Sequence, residues 1–560
     1  MITRTDWINY FPFAEPRIDQ EDAINFVLES FKNGKRFAVL DLGTGIGKSA
    51  IGVTIARYLT ENDQPKIVMV KDADGKSVPD CAPGALFLTT QKILQEQYMD
   101  DFGKGCMKSI KSASNYKCNH YKKLSCSEGQ QLLRAADKAS LFWKKCMFSC
   151  NYKMAKRDFL ESTESITNFS YALTEANFSG KIKKHNLLVI DEAHNVENEL
   201  CKFIEVSVTD KTASALGIEW PTITTYSQAM KWVCETYLPA AKIIVAEMEA
   251  DVEQFKDVEQ FDDVATFETY KQDYGDMIKR FDALRSHVDK LDTFLMSANP
   301  DNWIIDVMQQ VGKTSGKITF RPIDISPYSE QNLFRLGRRT LLMSATIINP
   351  EMFCESLGIP LSQVAILSKP SPFPIENRPI YFHPIGKMTA DSIDESLPKI
   401  VAALKEILKE HKNSKGVVHT HNYKIAQYIK KNIKSSRLIF HESHDREEAL
   451  AKHIASKEPT VLVSPSMSEG VDLRDDLARF QVLLKVPYPS LGDKIVKKRM
   501  YKWKWWYPMQ TIKTIIQSVG RSVRSDTDHA ITYILDADWQ RFYGQNRDLF
   551  PQHFKDALRR

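Results

Sequence analysis

Two short segments carry residue types at spacings that suit phosphate chemistry. LGTGIGKS occupies positions 42–49 and VIDEAH positions 189–194. In the first, Gly43, Thr44, Gly45 and Gly47 lead into Lys48 and Ser49. Glycines let backbone N–H groups close on phosphate oxygens, and a following helix presents its positive end. The lysine reaches the β- and γ-phosphates, and the serine hydroxyl holds Mg²⁺. The strict pattern has Gly where Leu42 stands, so this is a variant phosphate loop. In the second segment Asp191 is the expected Mg²⁺ acid, and Glu192 the group that polarises an attacking water. Each segment alone has a plain structural explanation, a Gly-rich turn before a helix or two surface acids at a strand end. Paired in matching strand-to-turn settings, they point to nucleotide hydrolysis.

Between them lie five of the nine cysteines: Cys106, Cys118, Cys126, Cys146 and Cys150. Four thiolates close in sequence can hold zinc or an iron–sulfur cluster. Only Cys146 and Cys150 have the close spacing of a zinc knuckle, so the open pattern fits a cluster at least as well as zinc. The N-terminal MITRTDWINYFPF lacks the charged-then-apolar layout of a secretory signal. A cytoplasmic or nucleoid-associated, intracellular protein is therefore expected. Reducing compartments favour metal binding over disulfides for such a cysteine group. No apolar run reaches membrane-spanning length, so no membrane partner is expected.

The elements that must position these residues alternate strand and helix. Residues 17–33 have helical apolar spacing. A short apolar strand from Phe37 to Leu40 precedes the phosphate loop and its helix. GALFLTTQKILQEQY (84–98) repeats strand, turn and helix, and NLLVIDEAH (186–194) is a buried-type strand ending in acids. The pattern returns at RRTLLMSATI (338–347). It continues beyond a Pro- and Ser-rich linker, LSKPSPFPIENRP (367–379), with strands near 416, 461, 481 and 531 and a helix around Gln517–Arg524. Such alternation implies two α/β halves built on parallel sheets. At 560 residues the chain must divide into several domains. Its 43% apolar and 26% charged residues are those of an ordinary globular protein. From about Cys201 to Phe320 the character changes. Residues 247–292 are rich in Asp, Glu, Phe and Lys, and DVEQF occurs at 251–255 and again at 257–261. A spacing of six does not sustain a heptad, so an inserted helical region is expected. The net charge of +5 allows a nucleic-acid partner without demanding one. The most basic and aromatic stretch, KIVKKRMYKWKWWYP (494–508), suits single-stranded nucleic acid as well as it suits an amphipathic helix with tryptophans in a core.

The order GTGIGKS, TTQ, DEAH, SAT, SEGVDL, QSVGRSVR resembles the motif series of DEAH-type superfamily 2 helicases. The resemblance implies two RecA-like motor domains with ATP at their interface and nucleic acid across both. It implies that Gln517 orders the water and that Arg521 and Arg524 act as fingers on transition-state charge. By the same likeness Ser344 and Thr346 couple ATP state to nucleic-acid grip, Gly470 and Asp472 line the interface, and Gln20 contacts adenine. SASNYKC (112–118) and CNYKMAKR (150–157), followed by ITNFSYAL, resemble the iron–sulfur insertion of the XPD/DinG helicase family. Asn151 stands where that family's C-P-Y-type segment has Pro. This likeness implies Cys118, Cys126, Cys146 and Cys150 as ligands of a [4Fe-4S] cluster, with Cys106 either spare or replacing Cys126 or Cys146.

The implied architecture is α/β: two RecA-like parallel-sheet motor domains, the first carrying an iron–sulfur insertion and a mainly helical arch. Its expected parts are motor domain 1 (1–104), the cluster insertion (105–156), motor domain 1 again (157–205), the arch (206–324), the last part of motor domain 1 with the linker (325–378), and motor domain 2 (379–560). The implied activity is that of an ATP-dependent DNA helicase moving 5′-to-3′ as a monomer on single-stranded DNA. Forked or bubble duplexes and repair or replication proteins are its implied partners. Rival expectations are an ATP-driven translocase or remodeller without strand separation, and a redox-sensing nucleic-acid-binding protein.

Overall fold

The computed structural model describes residues 2–64, 68–71, 77–104, 106–134, 136, 138–257, 264–308, 315–466 and 473–559. Two seven-stranded sheets, all of whose pairings are parallel, form its frame. The first runs in the order Val364–Lys369, Phe37–Leu42, Gly337–Ser344, Lys184–Asp191, Cys81–Thr89, Glu164–Asn168, Met107–Ser109. The second runs Leu438–Phe440, Val461–Ser464, Gly416–His419, Phe480–Leu483, Ile531–Asp536, Ile380–Gly386, Leu558–Arg559. Central strands such as Leu187–Ile190 and Leu341–Met343 are fully buried, because crossover helices cover both faces of a parallel sheet. Register then sets the chemistry. Asp41 pairs with Ser344, and Met343 with Asp191, so three adjacent strands end side by side at their carboxyl edge. That edge is where open α/β sheets bind ligands.

The cysteine segment folds into helices Cys126–Leu133, Leu141–Phe148 and Asn151–Glu161 beside the first sheet. The later insertion contains helices Leu238–Asp257 and Val264–Ser297. It also contains an antiparallel sheet of Val206–Thr209, Lys317–Pro322 and Trp303–Met308, which the helical expectation did not include. Tyr237, Phe294, Trp303 and Phe320 fill the core between them. The second DVEQF copy, beyond Asp257, lies outside the described residues.

One expectation is corrected and one open alternative is decided. The helix Trp506–Val519 stops at Gly520, so Gln517 lies in its last turn while Arg521 and Arg524 follow in a loop. The basic and aromatic stretch is largely an internal seam. Ile495, Val496 and Trp506 belong to the core of the first sheet, and Trp503 and Trp505 pack against it. Arg499 pairs with Glu197 at 2.7 Å, donates to the Ile323 carbonyl at 2.8 Å and lies over the Trp506 ring. Trp506 Nε1 donates to the same Glu197. Only Lys497, Lys498, Tyr501 and their exposed neighbours face outward. Burying the indoles here is cheaper than exposing them.

The Arg499–Glu197 side chains retain 8% and 15% exposure, against 41% and 73% for Arg4–Glu15. Removing one partner of a buried pair leaves a charge without compensation. Arg499→Ala is expected to cost about 3 kcal/mol in denaturant unfolding, and Arg4→Ala less than about 1 kcal/mol. Equal losses for the two variants would contradict this account of the seam.

Candidate functional site

The phosphate loop lies between the strand Phe37–Leu42 and the helix Lys48–Asn62. Gly45 and Gly47 have φ of 93° and 85°, the left-handed region that favours glycine. Both are also crowded. A Cβ on Gly45 would strike the Phe373 ring, and one on Gly47 would strike Gln20. Gly43 is pressed against the Ser371 backbone. Gln20 is buried, accepts from Arg17 N at 2.9 Å and donates to the Gly47 carbonyl at 3.3 Å. Lys48 Nζ reaches back to the Leu42 carbonyl at 3.2 Å. Thr44 accepts at its carbonyl from Ser371 Oγ at 2.9 Å.

Asp191 and Glu192 sit at the adjoining strand end. Asp191 is buried, accepts from Tyr98 OH at 2.9 Å on one oxygen and from Glu192 N at 2.9 Å on the other. Burial, then the neighbouring Glu192 charge, raise its pKa. The Glu192 side chain stays 33% exposed at the cavity, and the desolvation it does suffer acts to raise its pKa. Its hydrogen bond and charge interaction with His194, with help from Lys48 and Arg521, more than offset that and hold its carboxyl well below the usual range. Glu192 also has φ 51°, a left-handed conformation that costs a side-chain-bearing residue about 1–2 kcal/mol. Tyr98 was not singled out from sequence. It donates to Asp191, and burial followed by the Asp191 charge pushes its hydroxyl pKa well above the usual value.

His194 joins the halves. Its Nδ1 lies 2.7 Å from Ser344 Oγ and 3.3 Å from Glu192 Oε2, and its Nε2 lies 2.7 Å from Gln517 Nε2. This partner set fits the tautomer with its proton on Nδ1, leaving Nε2 to accept from the Gln517 amide. Gln517 Nε2 also approaches Thr346 Oγ1 at 3.4 Å, while its Oε1 has no partner among the described residues. Lys48, Ser49, Asp191, Glu192, Gln517, Arg521 and Arg524 all line one cavity of about 730 Å³ between the sheets, with Gln20 at its side. Gly470 and Asp472 lie outside the described residues.

Cys118, Cys126, Cys146 and Cys150 are buried, whereas Cys106 is exposed. Cys126 opens one helix, Cys150 caps another, and their sulfurs stand 3.4 Å apart, too far for a disulfide bond. Cys118 Sγ accepts from Tyr121 N at 3.4 Å, and Cys126 Sγ from Gln130 Nε2 at 3.6 Å. Burial, then Cys150 and Cys146, push the Cys126 thiol up to about 12. Burial also raises Cys146. Four buried soft donors fit a multivalent cationic group, which would draw off their protons. Among the described residues no three His, Cys, Asp or Glu side chains are arranged around a single metal ion.

His419 ends the strand Gly416–His419 of the second sheet. Burial, then the charges of His421 and Arg521, lower its pKa to about 3. A histidine held neutral when folded contributes stability that is full above its unfolded pKa of about 6.5 and is lost as pH falls towards 3. His419→Asn is expected to flatten the acid-side loss between pH 6.5 and 4.5 by up to about 1.4 kcal/mol per pH unit, measured as unfolding free energy against pH. An unchanged slope would show that His419 is not held neutral.

Comparison with known proteins adds to this geometry. The family described as helicase C-terminal domain matches residues 404–557, and that described as type III restriction enzyme, res subunit, matches residues 13–233. ATP-dependent DNA helicase CHL1 of Vanderwaltozyma polyspora is 29% identical over 124 residues, 18% of this chain and 15% of that protein. CHL1 of Saccharomyces cerevisiae is 30% identical over 129 residues, 19% of this chain and 15% of its own length. The regulator of telomere elongation helicase 1 homolog of Caenorhabditis briggsae is 24% identical over 110 residues, covering 17% of this chain and 11% of that protein. The matched segments thus span about a seventh or less of these relatives. Over the whole chain the fold is similar to a solved XPD helicase, with a TM-score of 0.60, 16% identity and coverage of 96% and 98%. It is also similar to Xpd4 of S. tokodaii, with a TM-score of 0.56, 14% identity and coverage of 97% and 99%. No helix among the described residues is long and apolar enough to cross a membrane. In fold the chain is similar to the solved XPD helicases, and the two matched family models fall one on each of its sheet-bearing halves.

Proposed function

We propose that this chain is an ATP-dependent DNA helicase that travels 5′-to-3′ on single-stranded DNA and parts forked or bubble duplexes, in repair, replication or recombination. The observation that carries the reading is the contact of Gln517 with His194. It brings the last turn of a second-sheet helix onto the acid pair of the first sheet, across a cavity edged by the phosphate loop. Hydrolysis then depends on whether the two halves are closed, as a motor requires. The direction of travel rests on the XPD/DinG resemblance.

In this reading Gly43 to Gly47 cradle the phosphates, and Lys48 neutralises the β- and γ-oxygens. Ser49 and Asp191 would hold Mg²⁺ through hard oxygen donors, with Asp191 held by the Tyr98 hydroxyl. The bound ion supplies charge neutralisation at the phosphates. Glu192, kept ionised, accepts a proton from the attacking water while Gln517 Oε1 orients that water. Arg521 and Arg524 stabilise charge on the transferring phosphate. Gln20 contributes to adenine contact.

The insertions at 105–156 and 206–324 are assigned as cluster and arch domains. Cys118, Cys126, Cys146 and Cys150 would hold a [4Fe-4S] group, which when bound supplies a four-point crosslink of the segment. Exposed Phe148 and the lysines Lys144 and Lys145 beside it are suited to a single strand passing that domain. The arch meets the cluster domain through Arg134, whose Nη2 contacts both Asp282 oxygens at 2.9 Å.

Lys48→Ala is expected to lower DNA-stimulated ATP hydrolysis by at least about a hundredfold, while the parent opens 5′-tailed forks. Full hydrolysis by the variant would reject the motor reading, and hydrolysis without fork opening would leave a translocase. Anaerobically purified protein is expected to contain iron and acid-labile sulfide, lost in Cys126→Ser and kept in Cys106→Ser. Stoichiometric zinc without iron would overturn the cluster assignment.

A further inference from the structure

The segment joining the sheets has the composition of a solvated linker and the packing of a structural part. It leaves the first sheet at Lys369, enters the second at Ile380, and is secured at both ends. On the first-sheet side Gly43 N donates to the Lys369 carbonyl at 2.9 Å, and Ser371 Oγ donates to the Thr44 carbonyl. On the second-sheet side Asn377 Nδ2 donates to the Asp526 carbonyl at 2.7 Å, and Ala530 N to the Asn377 carbonyl at 2.9 Å. Between them Phe373 is 5% exposed. One side of its ring abuts Gly45, where no Cβ could fit. Its buried apolar partners are Val523 and Ala530. Arg378 Nη2 holds the Phe373 carbonyl at 3.2 Å.

Val523 lies between Arg521 and Arg524 in sequence. The loop carrying it is itself fixed: buried Asp528 accepts from Arg524 N at 3.0 Å and from Arg479 at 2.7 Å. One aromatic ring therefore touches the phosphate loop and the backbone that presents both arginines. We propose that residues 370–378 form a strut that sets the distance between the phosphate loop and Arg521 and Arg524, with Phe373 as its positioning residue. The proposal rests on the hydrolase reading above. A ring of fixed size wedged between the Gly45 backbone and the Val523 and Ala530 side chains transmits position, because packed interiors do not compress. An aliphatic side chain of similar bulk should serve in its place, whereas alanine should let the arginine loop drift. Displacements of about 1 Å suffice to cost on the order of a hundredfold in rate.

The test is DNA-stimulated ATP hydrolysis by Phe373→Ala, Phe373→Leu and Val523→Ala, each checked for folding by thermal melting. Phe373→Ala is expected to lower kcat by roughly tenfold to a hundredfold with ATP KM changed by less than about threefold. Phe373→Leu should restore most of the rate, and Val523→Ala should reproduce part of the loss. Unchanged kcat in Phe373→Ala overturns the proposal. So does a raised KM at constant kcat, which would make Phe373 a contact to the nucleotide instead. If Phe373→Ala does not fold, Val523→Ala decides, and its unchanged kcat overturns the strut. An inactive parent, or an active Lys48→Ala, defeats the hydrolase reading. A Lys48-dependent parent with normal Phe373→Ala defeats the strut alone.

Discussion

Two carboxylates adjacent in sequence at a strand end repel each other, and one of them, Asp191, is buried where little water screens it. The structure around Asp191 and Glu192 answers that constraint. Asp191, fully engaged by Tyr98 and a backbone N–H, is raised by burial and by its neighbour. Glu192 is turned into a left-handed conformation, which directs it to His194. The compensating groups come from three parts of the chain: Lys48 on the phosphate loop, Arg521 on the second half, and His194, which donates through its ring N–H. An acid pair arranged this way is balanced by bringing the halves together, so charge balance and domain closure become one problem.

The seam reflects this at two points on the chain just after the acids. His194 takes Gln517 near the C-terminal end of the helix Trp506–Val519. Glu197, three residues further on, takes Trp506 at the first position of that same helix, and Arg499 from the helix before it. A rigid helix is thereby gripped at both ends by a short segment of the first half. Any change at the acid pair that shifts this segment reaches the second half along the full length of that helix. The linker forms a third connection on the far side of the phosphate loop, through Phe373.

Much of the fold was legible in the sequence because parallel strands leave continuous apolar runs, and loops that bind phosphate leave glycines. Leu187–Ile190 followed by two acids can hardly be anything but a buried strand that ends at a site. Tyr98 was not legible. A tyrosine on an amphipathic helix carries no sign of its partner, and only the fold brings it to Asp191, 93 residues away. The three-stranded sheet was missed for a related reason. Its strands are short, and one pairing spans about a hundred residues, so no local signal joins Val206–Thr209 to Lys317–Pro322. At 494–508 the composition was compatible with two fates, and packing decided for the tryptophans while leaving the lysines in solvent.

The cysteines pose the opposite electrostatic problem to the acids, in a region where few cations are buried. Cys126 and Cys150 stand in van der Waals contact, and Cys126 holds its proton up to about 12. As neutral thiols they form a small apolar core, continuous with the aromatic packing of Tyr116, Tyr152 and Phe142. As thiolates they would need several positive charges at the centre of the group, which the surrounding lysines cannot supply. Lys144 and Lys145 are exposed to solvent, and Lys117 points outward. The segment is thus consistent as a dry hydrophobic plug or around a bound multivalent group, and the two states differ by the protons on four sulfurs. Arg134 ties the end of the Cys126 helix to the later insertion, so the cysteine segment and that insertion are joined directly.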